Sequence, residues 1–235
     1  MKAYNFFWAL ILFGACNDIK VNKNIQNKQD TTTYVLDMIN KEESEYCIKV
    51  YLNGKLQSEV YYKDSLKNGP TKFYYKNGKI KYEENYFKGI IQGDAYFYYK
   101  NGKIKYYEYY DLKGNLRFRV NYNKKGKICS IEGKSLYIVF KDRKKIDTLS
   151  LKDTLSFMVF LASPPETQTM IEVGKINSKM EFIEKKDFSY TGEIPIINYK
   201  FNQTGLHRLM IIAKIINDST VIVSDTVFIT VKVIL

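Results

Sequence analysis

Through residues 46–133 short runs of β-formers present their side chains to alternate faces, and turn glycines punctuate them at Gly54, Gly78, Gly102 and Gly126, always 24 residues apart. Leu56, Ile80, Ile104 and Ile128 follow these glycines at one spacing, and the run Phe73–Tyr82 recurs almost unchanged as Phe97–Tyr106. A period of two predicts strands, because successive side chains of a strand point to opposite faces. Asn-Gly between β-formers predicts a two-residue type I′ turn, which needs positive φ at both positions. The expected turns are Asn53-Gly54, Asn77-Gly78 and Asn101-Gly102, with a degenerate last copy at Gly126. This register pairs Tyr75 with Ile80, Tyr74 with Lys81 and Phe73 with Tyr82. It places Phe73, Tyr75, Ile80 and Tyr82 on one face, and Tyr74, Lys76, Lys79 and Lys81 on the other.

A lone hairpin is marginal in water, so the copies are expected to stack edge to edge into one long sheet. Their YY-x-NGK core, following aromatic strand and second glycine turn (Gly69, Gly93) resemble the bacterial variant of the membrane occupation and recognition nexus (MORN) repeat. The resemblance covers residues 46–133 and implies an interaction module. It also implies links to membranes and lipids, and an antitoxin role in some bacterial relatives.

From Ser135 onward aromatic density falls and short β-branched runs separated by turns take over. Strands are expected at Leu136–Phe140, Thr154–Ala162, Thr169–Ile176, Met180–Glu184, Ile194–Phe201, Leu206–Ile216 and Val221–Val233, with breaks at Pro164-Pro165 and Thr191-Gly192. Seven short strands in about 100 residues read as an immunoglobulin-like β-sandwich, with His207 where a corner tyrosine often stands. The expected fold is all-β. A repeat sheet of stacked β-hairpins spans 46–133 and the sandwich spans 134–235.

The N-terminal run Met1–Cys16 has one early lysine, an apolar stretch too short for a transmembrane helix, and Gly14-Ala15 before Cys16. This resembles a lipoprotein signal helix with Cys16 as the acylated residue, although Phe13 stands where leucine is more usual. Residues 17–45 are expected to form a disordered stalk and lead-in, polar as far as Thr33, while Tyr34–Glu45 fits a short helix or a strand equally well. Cys47 and Cys129 fall at opposite ends of the sheet, roughly 30 Å apart at ~4.8 Å per strand, too far for a disulfide.

The chain carries 37 Lys and Arg against 25 Asp and Glu, and residues 46–133 hold 18 of the former against 8 of the latter. The surplus therefore sits on the repeats. Chemistry is scarce. His207 is the one histidine and is expected to be structural; Gly133-Lys134-Ser135 lacks the upstream glycine of a phosphate loop; Glu83-Glu84 and Glu181/Glu184 show nothing convergent around them. The protein is expected to be non-catalytic and to need no cofactor or metal. Its candidate binding face comprises Tyr74, Lys79, Lys81, Tyr98, Lys103, Lys105 and Tyr122. The expected partners are the membrane, through the lipid anchor, and a protein, glycan or anionic component of a bacterial cell envelope, with the outer membrane as the expected site. The export signal argues against nucleic acid. The alternative is an antitoxin or immunity protein acting through the same repeats.

Overall fold

The computed structural model describes residues 32–40, 44–142, 148–189 and 194–235. The signal segment, Cys16, most of the stalk and the Thr191-Gly192 break lie outside the described residues. Among the described residues there are strands and turns and no helix.

One long antiparallel sheet is built from β1 (Thr32–Asn40), β2 (Glu45–Leu52), β3 (Lys55–Lys63), β4 (Leu66–Tyr74), β5 (Ile80–Phe87), β6 (Ile90–Ile91), β7 (Gly93–Tyr98), β8 (Ile104–Tyr110), β9 (Leu116–Tyr122) and β10 (Ile128–Gly133). The strands pair in chain order, with β7 beside β5 and the two-residue β6 hanging off β5. The ambiguous lead-in is thus a strand: β1 pairs with β2 from Thr32↔Leu52 to Met38↔Tyr46. The sheet starts before the expected boundary at residue 46, and Thr32 and Thr33 belong to it rather than to the stalk. Cys47 lies on β2 and Cys129 on β10, and no disulfide joins them.

The Asn-Gly turns are of two kinds. Asn53 and Gly54 both have positive φ, 51° and 73°, as a type I′ turn requires. Asn77 and Asn101 do not, and only Gly78 and Gly102 are left-handed. There the Gly78 amide donates to the Tyr75 carbonyl and the Tyr75 amide to the Lys79 carbonyl, both at 2.8 Å. This is a three-residue loop with the glycine forming the bulge. The asparagine side chain supports this loop: Asn77 Oδ1 accepts the Lys79 amide at 3.1 Å while its Nδ2 reaches the Lys100 carbonyl of the next turn at 3.1 Å. The extra loop residue moves the register, so Tyr74, not Tyr75, pairs with Ile80; a second bulge then restores Phe73↔Tyr82. The next copy repeats this with Tyr98↔Ile104 and Phe97↔Tyr106.

The remaining strands are β11 (Leu136–Phe140), β12 (Thr148–Ser150), β13 (Thr154–Leu161), β14 (Gln168–Ile176), β15 (Phe182–Ser189), β16 (Ile196–Lys200), β17 (Gly205–Asn217) and β18 (Thr220–Ile234). They form two sheets, β11-β13-β16 and β12-β18-β17-β14-β15, and β12 runs parallel to β18. Between them lies one apolar core that includes Leu136, Phe157, Val159, Ile171, Leu209, Ile211 and Val231. The expected strand at Met180–Glu184 begins only at Phe182, because Met180 occupies a turn with φ of 65°. The short β12 was not expected; its three residues carry too little pattern to read.

The outer side of the three-stranded sheet holds a second apolar cluster. Tyr137, Val139, Met158 and Phe160 meet Tyr107, Tyr109, Phe118, Val120 and Tyr122 of the repeat sheet. The fold is therefore three layers deep where the last repeats pass over the sandwich. The connection is Gly133-Lys134-Ser135. Gly133 has a φ of 86°, and a Cβ there would sit 2.1 Å from the Arg117 carbonyl oxygen. Buried Asp225 accepts the Ser135 amide at 2.6 Å and its hydroxyl at 2.7 Å, and Lys134 reaches the same carboxylate.

Candidate interaction surface on the repeat sheet

Strand registers sort the repeat side chains into two faces. On the first, Phe73, Tyr82, Phe97 and Tyr106 form a continuous stack with ring centroids 4.4, 5.6 and 4.2 Å apart, and the Arg119 guanidinium lies 5.4 Å from the Tyr106 ring. The small side chains Thr71 and Ala95 are fully buried among these larger neighbours. Glu84 and Glu108 flank the stack at equivalent repeat positions, each accepting a tyrosine hydroxyl, from Tyr86 at 2.9 Å and Tyr110 at 2.7 Å. Glu108 is 2% exposed and is paired with Arg119. The cluster that packs on the sandwich draws its repeat-sheet side chains from the other face.

On that second face Tyr74 and Tyr98 donate to Glu59 and Glu83, each at 2.6 Å and each to the carboxylate fifteen residues earlier. Burial, and then these hydrogen bonds, push both phenols well up from their ordinary value. The third member of the series would pair Tyr122 with residue 107, but that position is a tyrosine, and the Tyr122 hydroxyl is buried without a partner. Burial raises its pKa to about 12. Tyr107 instead donates to Asp94 and accepts the Ser163 amide at 2.8 Å, linking the two units. Burial lifts the Asp94 carboxyl to about 6.

The seven residues of the expected binding face do not form one ladder. Tyr74 and Tyr98 face the sandwich side with their hydroxyls engaged, and Tyr122 is buried under the sandwich. Lys79 and Lys103 reach along the turns, their Nζ atoms donating to the carbonyls of Asn101 at 2.7 Å and Lys125 at 2.9 Å. Lys81 and Lys105 are exposed bulge residues, 5.9 and 5.5 Å from the rings of Tyr82 and Tyr106. The structure separates them because each bulge breaks the strict alternation from which a single ladder follows. The turn residues Asn53, Gly54, Asn77, Gly78, Asn101, Gly102 and Gly126 all stand at one end of the strands.

The tyrosine–carboxylate pairs were missed from the sequence. Their signal is there: Glu59 and Glu83 repeat at the same 24-residue offset as Tyr74 and Tyr98, and so do Glu84 and Glu108. Glu83 is thus far from isolated, with Lys72 at 3.6 Å as well. Glu184 likewise accepts the Tyr199 hydroxyl at 3.1 Å. His207 is buried, packs against Phe201 at 4.9 Å and bonds the Gln203 carbonyl at 2.9 Å, closing the turn into β17. Among the described residues no three His, Cys, Asp or Glu side chains cluster as a metal site would need.

Residues 47–64, 67–88 and 91–112 match the family of the MORN repeat variant. No curated protein matches the chain. A chain from the crystal structure of accessory secretory protein 1,2 and 3 in Streptococcus pneumoniae is 23% identical over 40% of this chain and 18% of its own length, with a TM-score of 0.26. At that score nothing about fold or role follows from it.

Proposed function

We propose that this carrier of three MORN repeat variants is a lipid-anchored, non-catalytic protein of a bacterial cell envelope. Its repeat sheet serves as a binding or scaffolding surface, and the sandwich holds that sheet in place. The observation that carries the binding half is the asymmetry of the sheet. The second unit packs against one face at the last repeats, while the stacked Phe73–Tyr82–Phe97–Tyr106 face contributes nothing to that contact. Aromatic side chains bordered by charged groups are the composition that protein interfaces favour.

The strand order β12-β18-β17-β14-β15 against β11-β13-β16, with β12 parallel to β18, supports reading the second unit as immunoglobulin-like. The anchor rests on the lipobox-like approach to Cys16. Its test is fractionation of cells producing the full chain and the Cys16→Ser variant. Wild type is expected with the membranes and the variant in the soluble fraction, and equal membrane retention of both would remove the anchor from the reading. For the binding half, crosslinking in intact cells compares wild type with Tyr82→Ala/Tyr106→Ala. Loss of the crosslinked species is the expected result, and an unchanged pattern would rule the aromatic face out.

A further inference from the structure

The four turns at the Asn-Gly end of the repeat sheet contain ten lysines, no arginine and no Asp or Glu across residues 52–57, 74–82, 98–106 and 122–129. Lys55, Lys79, Lys103 and Lys127 follow the four turn glycines, and Lys76, Lys100 and Lys124 form a second row at the same offset. The turns are laced into a rigid rail. Besides the lysine bonds above, Asn77 Nδ2 and Asn101 Nδ2 reach the Lys100 and Lys124 carbonyls, and the Tyr75 and Tyr99 hydroxyls reach the Tyr98 and Tyr122 carbonyls at 2.6 and 2.9 Å. Each repeat advances two strands, so equivalent lysines recur about every 10 Å. Between the first and second turns lies a groove of about 340 Å³ lined by Lys55, Leu56, Tyr74, Lys76, Asn77 and Gly78.

A row of like charges held at fixed spacing costs stability through repulsion unless a counter-charge relieves it. Among the described residues no exposed large apolar side chain lies on this rim. Those of the repeat sheet (Leu66, Phe87, Ile90, Leu112 and Leu116) are all at the opposite strand ends, so the rim is unsuited to a bilayer. Among the described residues the rings at the rim, Tyr74, Tyr75, Tyr98 and Tyr99, are half-buried with their hydroxyls bonded within the sheet, which disfavours stacking on a base. Lysine without arginine offers compact point charges, which bind phosphate without the planar two-pronged match that arginine makes and so suit a string of singly charged groups rather than one anion held at two points. We propose that the lysine rim is a docking rail for a linear phosphate-linked polymer without bases, such as a polyol-phosphate chain, with one phosphate seated in the groove between Lys55 and Lys76. The proposal deepens the binding half of the proposed function and does not rest on the anchor at Cys16 or on the aromatic face.

The test is titration of the purified full chain with a poly(glycerol phosphate) long enough to span four turns, over a range of salt. Wild type is compared with Lys76→Gln/Lys100→Gln/Lys124→Gln and with a control of equal charge change at the opposite rim, Lys67→Gln/Lys88→Gln/Lys113→Gln. The rim triple is expected to weaken binding by about tenfold or more and to flatten the salt dependence by about two to three counterions, with the control near wild type. Equal losses in both triples would overturn the rail, since net charge alone would then explain binding. So would absence of binding by wild type, tighter binding of polyglutamate or of an oligothymidylate of matched charge, or capture of phosphatidylglycerol vesicles with the polymer ignored. Melting curves of both triples check that the fold is intact; these lysines support no side-chain ion pair among the described residues, so no large change is expected.

Discussion

Gly133 is a position where a single atom has a large consequence. A methyl group there would overlap the Arg117 carbonyl, and the φ of 86° disfavours any other residue. Gly133→Ala is expected to lower stability by about 3 kcal/mol or more, read as a drop in the urea midpoint. Glu108 makes a complementary case. Removing its cation with Arg119→Met strands a buried carboxylate and is expected to cost about 2–3 kcal/mol, with Glu108→Gln restoring part of it in the double variant. Asp94 gives a pH signature. Burial raises its carboxyl to about 6 in the folded chain, so the native state holds the proton more tightly than the unfolded one. Stability therefore rises as pH falls from above 6 toward 4, by up to about 3 kcal/mol. Asp94→Asn should lose that rise in melts taken between pH 7 and pH 4.5, and a variant with an unchanged slope would contradict the assignment.

At the scale of the hairpin, the turns do two jobs. Glycine supplies the left-handed residue, and the asparagine and lysine beside it bond to the next turn along. Each lysine bridge is a charge-assisted bond at an exposed site. Lys79→Met and Lys103→Met should each cost about 0.5–1 kcal/mol, adding in the double variant because the bridges use different carbonyls. Denaturant midpoints of the two single variants and the double check this. The glycine spacing made the turns legible, but not their type. Asn53 adopts positive φ and Asn77 does not, although the two share the same dipeptide, so the dipeptide alone does not set the turn type.

Across the molecule, coupling between the repeat sheet and the sandwich runs through the Asp225–Ser135 bonds, the Tyr107–Ser163 bond and the apolar cluster under the last repeats. Burial opposes ionisation of Asp225, yet the bonds from Ser135 and Lys134 hold its carboxyl below the ordinary value. Its contribution is therefore present above about pH 4 and lost as pH falls through the depressed folded pKa. Asp225→Ala leaves the buried Ser135 amide and hydroxyl without their acceptor, at a cost of about 2–3 kcal/mol. Calorimetry should show the single transition of wild type splitting in two as the units uncouple. A single transition in the variant would mean that the apolar cluster alone couples them.

Period, alternation and turn glycines are local facts, and residues close in the chain fix them. The sequence by itself therefore determined an all-β chain, stacked hairpins with a 24-residue repeat, and most strands of the second unit. The bulges at Lys81 and Lys105, the side of the sheet that the sandwich covers, and the clamp on Ser135 were decided only by tertiary packing. Tyr107 and Ser163, or Ser135 and Asp225, lie 56 and 90 residues apart, and no local pattern announces which partner a side chain will meet at that range. The lysine rim lies between the two: its charges are written in the sequence, and the bulged turns move them from the sheet face to its edge.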